Sequence, residues 1–126
     1  MANELILIVE DNAMNLKLVR DTLQAKGYRT IEAGTGEEGV QLARAQQPAL
    51  VLMDIQLPGI SGIEAFHQLR ADPSTSSIPV VAVTASVMAQ ERQKVMAAGF
   101  NGFQDKPISV RELLETIRQL LDKSAQ

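Results

Sequence analysis

The feature that most constrains this chain is a repeated one: short, wholly apolar runs that end abruptly in a chemically useful residue. Leu50-Val51-Leu52-Met53 runs into Asp54, and Leu5-Ile6-Leu7-Ile8-Val9 runs into Glu10 and Asp11. Val80-Val81-Ala82-Val83 runs into Thr84. Apolar runs of four or five residues without alternation describe strands buried on both faces, which occur in parallel sheets covered by helices. Pro58 and Gly59 stop regular structure soon after Asp54. Two further segments, Arg29–Ala33 and Gly102–Lys106, mix polar and apolar residues and suit edge strands.

Between these runs lie helical patterns. Leu16, Val19 and Leu23 are spaced i, i+3, i+7 in a first helix that follows a turn at 12–15 and runs to about Lys26, with Gly27 as its stop. Gly36–Gln46 has a thin face of Val40 and Ala43, and Gly36 and Gly39 weaken its propensity. A third helix after Gly62 turns Ile63, Phe66 and either Leu69 or Arg70 toward the sheet. The polar stretch 72–77 then has the composition of a flexible loop. The fourth helix, about Met88–Ala98, has a poor apolar stripe. Ser109-Val110-Arg111-Glu112 matches a capping box, and the helix it opens has the strongest periodicity in the chain, Val110, Leu113, Leu114, Ile117, Leu120 and Leu121.

Five strands alternating with five helices imply an α/β fold with a parallel sheet and right-handed crossovers. Placing the two mixed strands at the edges gives the order 2-1-3-4-5, the flavodoxin-like doubly wound arrangement, with helices on both faces. The first and third strands then meet at the switch point, where open α/β sheets bind ligands. Glu10, Asp11 and Asp54 converge there.

Composition narrows the chemistry. The 126 residues suit one domain, 1–126 with a core of about 5–121. Fifteen acids against twelve bases, with no basic stretch, argue against direct nucleic-acid binding. Cysteine is absent, which excludes disulfides and thiolate sites. The N-terminal apolar run is too short for a signal or a membrane span, so a cytoplasmic protein without membrane insertion is expected. Two carboxylates about 4 Å apart repel by about 4 kcal/mol at an effective dielectric near 20. A hard cation relieves this, and oxygen donors without Cys or His point to Mg²⁺. Asp54 could then serve as a nucleophile toward a phosphoryl group. The alternative is that the acids after the first strand cap the first helix; capping accounts for only one of them. Thr84 and Lys106, at the ends of the fourth and fifth strands, could contact phosphoryl oxygens. His67, the sole histidine, lies far in sequence from all of these and is expected at the surface or as packing filler, without a role in the site.

Glu10-Asp11, Asp54, Thr84-Ala85 and Lys106-Pro107, in this order and at these strand ends, resemble the signature of two-component response-regulator receiver domains, over about Leu5 to Leu121. Within that family the chain is most similar to single-domain regulators, while receivers of hybrid histidine kinases share much of the pattern. The resemblance implies that Asp54 accepts a phosphoryl group from a phosphohistidine of a histidine kinase or histidine phosphotransfer protein. It implies that Asp11, Asp54 and the Gln56 backbone carbonyl hold Mg²⁺, with Glu10 acting through water. Thr84 and Lys106 would contact the phosphoryl oxygens, and a cis Lys106-Pro107 bond is implied. Thr84 and Phe103 would form the switch, Gln56, Ala85 and Ser86 would modulate the phosphoryl lifetime, and the face of the fourth helix, fifth strand and fifth helix would meet a downstream protein. The expected protein is a non-enzymatic, monomeric phospho-acceptor without an output domain.

Other readings of the same pattern are a flavodoxin and a Mg²⁺-dependent phosphohydrolase with an aspartyl nucleophile. Glu10 and Asp11 would repel a flavin phosphate. The hydrolase usually has a second Asp two residues after the nucleophile, where this chain has Gln56.

Overall fold

The computed structural model describes residues 3–85 and 89–124. The elements alternate without exception: β1 (Leu5–Val9), α1 (Ala13–Ala25), β2 (Arg29–Ala33), α2 (Gly36–Gln46), β3 (Leu50–Asp54), α3 (Gly62–Ala71), β4 (Val80–Thr84), α4 (Ala89–Ala98), β5 (Gly102–Asp105) and α5 (Val110–Ser124). The strands form one parallel sheet in the order β2-β1-β3-β4-β5. The order read from the edge character of β2 and β5 is therefore the order observed.

The apolar runs follow from two cores, one on each face of the sheet. Leu7, Val9, Val51, Met53 and Val80 pack with α2 and α3 through Val40, Ala43, Ala65, Phe66 and Leu69. Ile6, Ile8, Leu50, Leu52 and Val81 pack with α1 and α5 through Val19, Leu23, Leu113 and Ile117. Successive strand residues point to opposite faces. A strand sandwiched between two helical layers therefore needs an apolar residue at every position.

Several local expectations change. Asn12 caps α1: its Oδ1 accepts from the Asn15 amide at 3.0 Å, so the helix begins at Ala13 and no acid is used in capping. In α3, Leu69 is buried and Arg70 is not; Ala65 joins Phe66 and Leu69 on the core side, while Ile63 is only half-buried. Val110 opens α5 but stays 36% exposed, so the buried stripe begins at Leu113. β5 ends at Asp105, one residue before Lys106. The expected start of the fourth helix, Met88, lies outside the described residues.

The glycines of α2 are contact points as well as weak helix formers. A Cβ on Gly39 would lie 2.8 Å from Val9 Cγ2, and one on Gly36 would lie 2.7 Å from Ile60 Cγ1. Their absence of side chain lets α2 approach β1 and the β3–α3 connection closely. The 72–77 stretch is also more ordered than its composition suggests. Thr75 is fully buried and its Oγ1 donates to the Leu69 carbonyl at 2.6 Å. Asp72 accepts from the Ser74 amide and hydroxyl and from Arg44.

Candidate phospho-acceptor site

The alternation of the strands brings the site together. Glu10 continues the sequence Ile6, Ile8 past the end of β1, and Asp54 continues Leu50, Leu52 at the end of β3. All lie on the side of the sheet covered by α1 and α5. Lys106 stands two residues beyond Gln104, which points to the same side and donates to Thr116 of α5. Three residues far apart in sequence thus share one side and one edge. Lys106 Nζ lies 2.9 Å from Asp54 Oδ2 and 3.0 Å from Glu10 Oε1.

Backbone groups hold both acids in place. The Gln56 amide donates to Asp54 Oδ1 at 3.0 Å, and the Asn12 amide donates to Glu10 Oε2 at 3.1 Å. Asp54 therefore has one oxygen fixed by an amide and the other by an ammonium, which sets the plane of its carboxylate. Glu10 and Asp54 are buried, and Asp11 is exposed at the mouth of the site. Burial pushes the Glu10 carboxyl above its ordinary value, with hydrogen bonding to Asp54 adding to the rise. Burial acts to lower Lys106, but its hydrogen bonds to Asp54 and Glu10 outweigh that and hold the ammonium above its ordinary value.

Glu10, Asp11 and Asp54 each present an oxygen within 4.8 Å of the others, the one such group of possible metal ligands among the described residues. The three side chains offer oxygen donors only, as suits a hard divalent cation. Three carboxylates against one ammonium leave two negative charges uncompensated, which matches one Mg²⁺. The residues present therefore fit the ion.

Thr84 is buried on the opposite side of the sheet, facing α4, with a cavity of about 240 Å³ beside it that Ile55, Ile63 and Val95 also line. Phe103 is half-buried on the same side, with the Arg92 guanidinium 4.8 Å above its ring. The site thus divides: acids and Lys106 toward α1 and α5, Thr84 and Phe103 toward α4. Ala85 is exposed next to Thr84, Gln56 is exposed after Asp54, and Ser86 lies outside the described residues. The Lys106-Pro107 bond is cis, as the resemblance implies. His67 is exposed on α3, away from the acids.

Two supporting residues escaped the reading of the sequence. Asn12 supplies both the α1 cap and the amide on Glu10. Gly62 lies where a Cβ would fall 2.2 Å from the Asp54 carbonyl oxygen, and its amide donates to the Ile55 carbonyl at 3.0 Å. Both were legible in principle: Asn precedes a helical pattern, and Gly62 opens one. What they touch was not.

A larger cavity, about 490 Å³, lies at the other edge of the sheet among Glu4, Tyr28, Leu114 and Arg118. Its acids, Glu4, Glu115 and Asp122, do not form a group of possible metal ligands among the described residues, and the cavity is remote from the strand-end residues described above, so size is a poor guide to the site here.

Comparison with known proteins agrees with this geometry. The chain is 45% identical over 116 residues to the polar-differentiation response regulator DivK of Brucella ovis, covering 92% of this chain and 94% of that protein. The DivK of Brucella melitensis matches equally. The solved receiver domain of a sensor histidine kinase from Pseudomonas aeruginosa, which holds a magnesium ion in its active-site cleft, superposes with a TM-score of 0.90. It is 30% identical and the match covers 96% of this chain and 99% of that one. A response regulator structure from Chloroflexus aurantiacus gives a TM-score of 0.90 at 28% identity, covering 95% and 98% of the two chains. Residues 6–118 match the response regulator receiver domain as a family, and the chain belongs to it.

Proposed function

We propose that this receiver is a phospho-acceptor of a two-component phosphorelay, with Asp54 as the acceptor. The observation that carries the proposal is the pairing of Asp54 with Lys106 at 2.9 Å inside a cluster of two other acids. A lone buried carboxylate has no need of such company. Receivers of this family are signalling proteins that work with a phosphodonor kinase and downstream partners.

An oxygen of Asp54 attacks phosphorus, and the P–N bond to the donor's imidazole breaks. The departing ring keeps the bonding pair and takes up a proton from water. The Gln56 amide and Lys106 hold the carboxylate in the orientation the attack requires. Lys106 then pairs with the phosphoryl oxygens, and the Thr84 hydroxyl reaches them from the other side. Asp11, Asp54 and the Gln56 carbonyl would hold Mg²⁺, with Glu10 acting through water. When bound, the ion supplies positive charge that offsets repulsion between the acids and the incoming phosphoryl group. Gln56 brings an amide where a hydrolase would need an acid, which favours acceptor over turnover chemistry.

Phosphorylation adds about 1.5 to 2 negative charges. Thr84 moves toward them, Phe103 follows inward, and the face of α4, β5 and α5 changes for a downstream protein. α4 suits this role because Val95 is its one buried residue among those described.

Acetyl phosphate with Mg²⁺ should add one phosphoryl group, read by intact mass, and Asp54→Asn should abolish the addition. Label that persists in Asp54→Asn would place the acceptor elsewhere.

A further inference from the structure

We propose that Arg92 is a positioning residue of the switch: its guanidinium stacks on Phe103 and pairs with Asp105, holding β5 against α4 in the resting state, and it lets go when Asp54 is phosphorylated. The inference rests on the phospho-acceptor reading and goes beyond it by assigning a role to a residue of α4.

The argument starts from the seam that α4 presents to the sheet. Its buried residue is Val95, and Arg92 and Ala98, three residues to either side, are its half-buried ones. On a helix these three lie along one stripe. A cation thus stands at a position where an aliphatic side chain would serve packing better. What it meets there explains the choice. Phe103 and Asp105 are two apart on β5 and so point to the same face. Arg92 engages both, with Cζ 4.8 Å from the Phe103 centroid and Nη1 donating to Asp105 Oδ1. A planar guanidinium can stack flat on a ring and bond a carboxylate from its edge at once; an ammonium has no plane to stack.

The two residues it grips are also placed to sense the site. Phe103 pairs across the ladder with Ala82, and Asp105 pairs with Thr84. The Lys106 amide donates to the Thr84 carbonyl at 2.8 Å. Arg92 therefore holds the stretch of β5 that carries the proposed switch aromatic and leads directly into Lys106. An inward turn of Phe103 removes the ring from beneath the guanidinium. The resting contact must be given up for the switch to complete, so Arg92 biases the equilibrium toward the resting state by the difference in its contacts between the two.

The test uses the full chain, with Mg²⁺ and beryllofluoride as the phosphoryl mimic, followed by NMR. A ring beneath the guanidinium shifts the Arg92 Hδ and Hε resonances upfield. They should be upfield with Mg²⁺ alone, move to ordinary values with beryllofluoride, and be ordinary throughout in Phe103→Leu. Arg92 resonances that stay upfield while amides around Asp54 shift would overturn the latch and leave the acceptor reading intact. If no amide around Asp54 responds, the acceptor reading fails and the latch falls with it. A kinetic measurement separates positioning from packing. Arg92→Gln should speed phosphorylation by acetyl phosphate by about threefold to tenfold. Its Mg²⁺ affinity should not change, and the gain should vanish in the Phe103→Leu background. Arg92→Lys, which keeps charge without the planar stack, should fall between. A rate that is unchanged in Arg92→Gln, or a gain that persists without Phe103, would reject the assignment.

Discussion

Lys106 is, among the described residues, the one cation paired with both buried acids of the site. Its ammonium stands 2.9 Å from Asp54 and 3.0 Å from Glu10, and it is itself mostly shielded from water. Removing one partner of a buried ion pair leaves an uncompensated charge, a larger effect than the pair's net contribution. Lys106→Ala should therefore destabilise the protein by about 2–4 kcal/mol in chelator-treated buffer. Mg²⁺ should restore part of that loss, because the ion neutralises the same acids. Urea unfolding with and without Mg²⁺ checks both halves, and equal stability of the two proteins in chelator would contradict the pairing.

Among the elements, α2 and the connection after α3 show how local signals can mislead. Alanine is a better helix former than glycine by about 1 kcal/mol. At Gly39, however, the added Cβ would lie 2.8 Å from Val9, and overpacking a buried contact costs about 1–3 kcal/mol. Packing outweighs propensity, so Gly39→Ala should lose about 1 kcal/mol in denaturant unfolding. A gain would show that α2 can shift to make room. In the 72–77 connection, the Ser74 amide and hydroxyl, with Arg44, hold the Asp72 carboxyl below its ordinary value. A lowered folded pKa means that the unfolded chain binds more protons across that range, so the contribution is present above the ordinary carboxylate value. It disappears as pH falls through the folded value. The stability of the protein relative to Asp72→Asn should accordingly shrink on acidification below about pH 4. Parallel curves for the two proteins would show that Asp72 is not held in solution.

For the whole molecule, the sheet order sets the net charge of one small region. Bringing β1 beside β3 collects Glu10, Asp11 and Asp54 at one edge. Binding to the folded state alone stabilises it, by about 2.7 kcal/mol at a hundredfold excess over Kd. For a domain of this size that is on the order of a 10 °C rise in Tm. Saturating Mg²⁺ should produce a rise of this kind, and Asp11→Asn should remove most of it while leaving the Tm in chelator nearly unchanged, since Asp11 is exposed. A Tm indifferent to Mg²⁺ would exclude the acids as a metal site.

The sequence by itself determined the element order, the strand order and the residues at or just past the strand ends. Those depend on short-range periodicity: continuous apolar runs demand two covered faces, and mixed runs demand edges. The chain's Glu10, Asp54, Thr84 and Lys106 were legible for the same reason, because each ends a run. Only the tertiary structure decided what the glycines of α2 and Gly62 touch, that Thr75 is buried within a polar stretch, that Asn12 rather than an acid caps α1, and that Arg92 lies over Phe103. Each of these turns on distances between side chains remote in sequence. Periodicity says which way a residue points, and packing alone says what it meets.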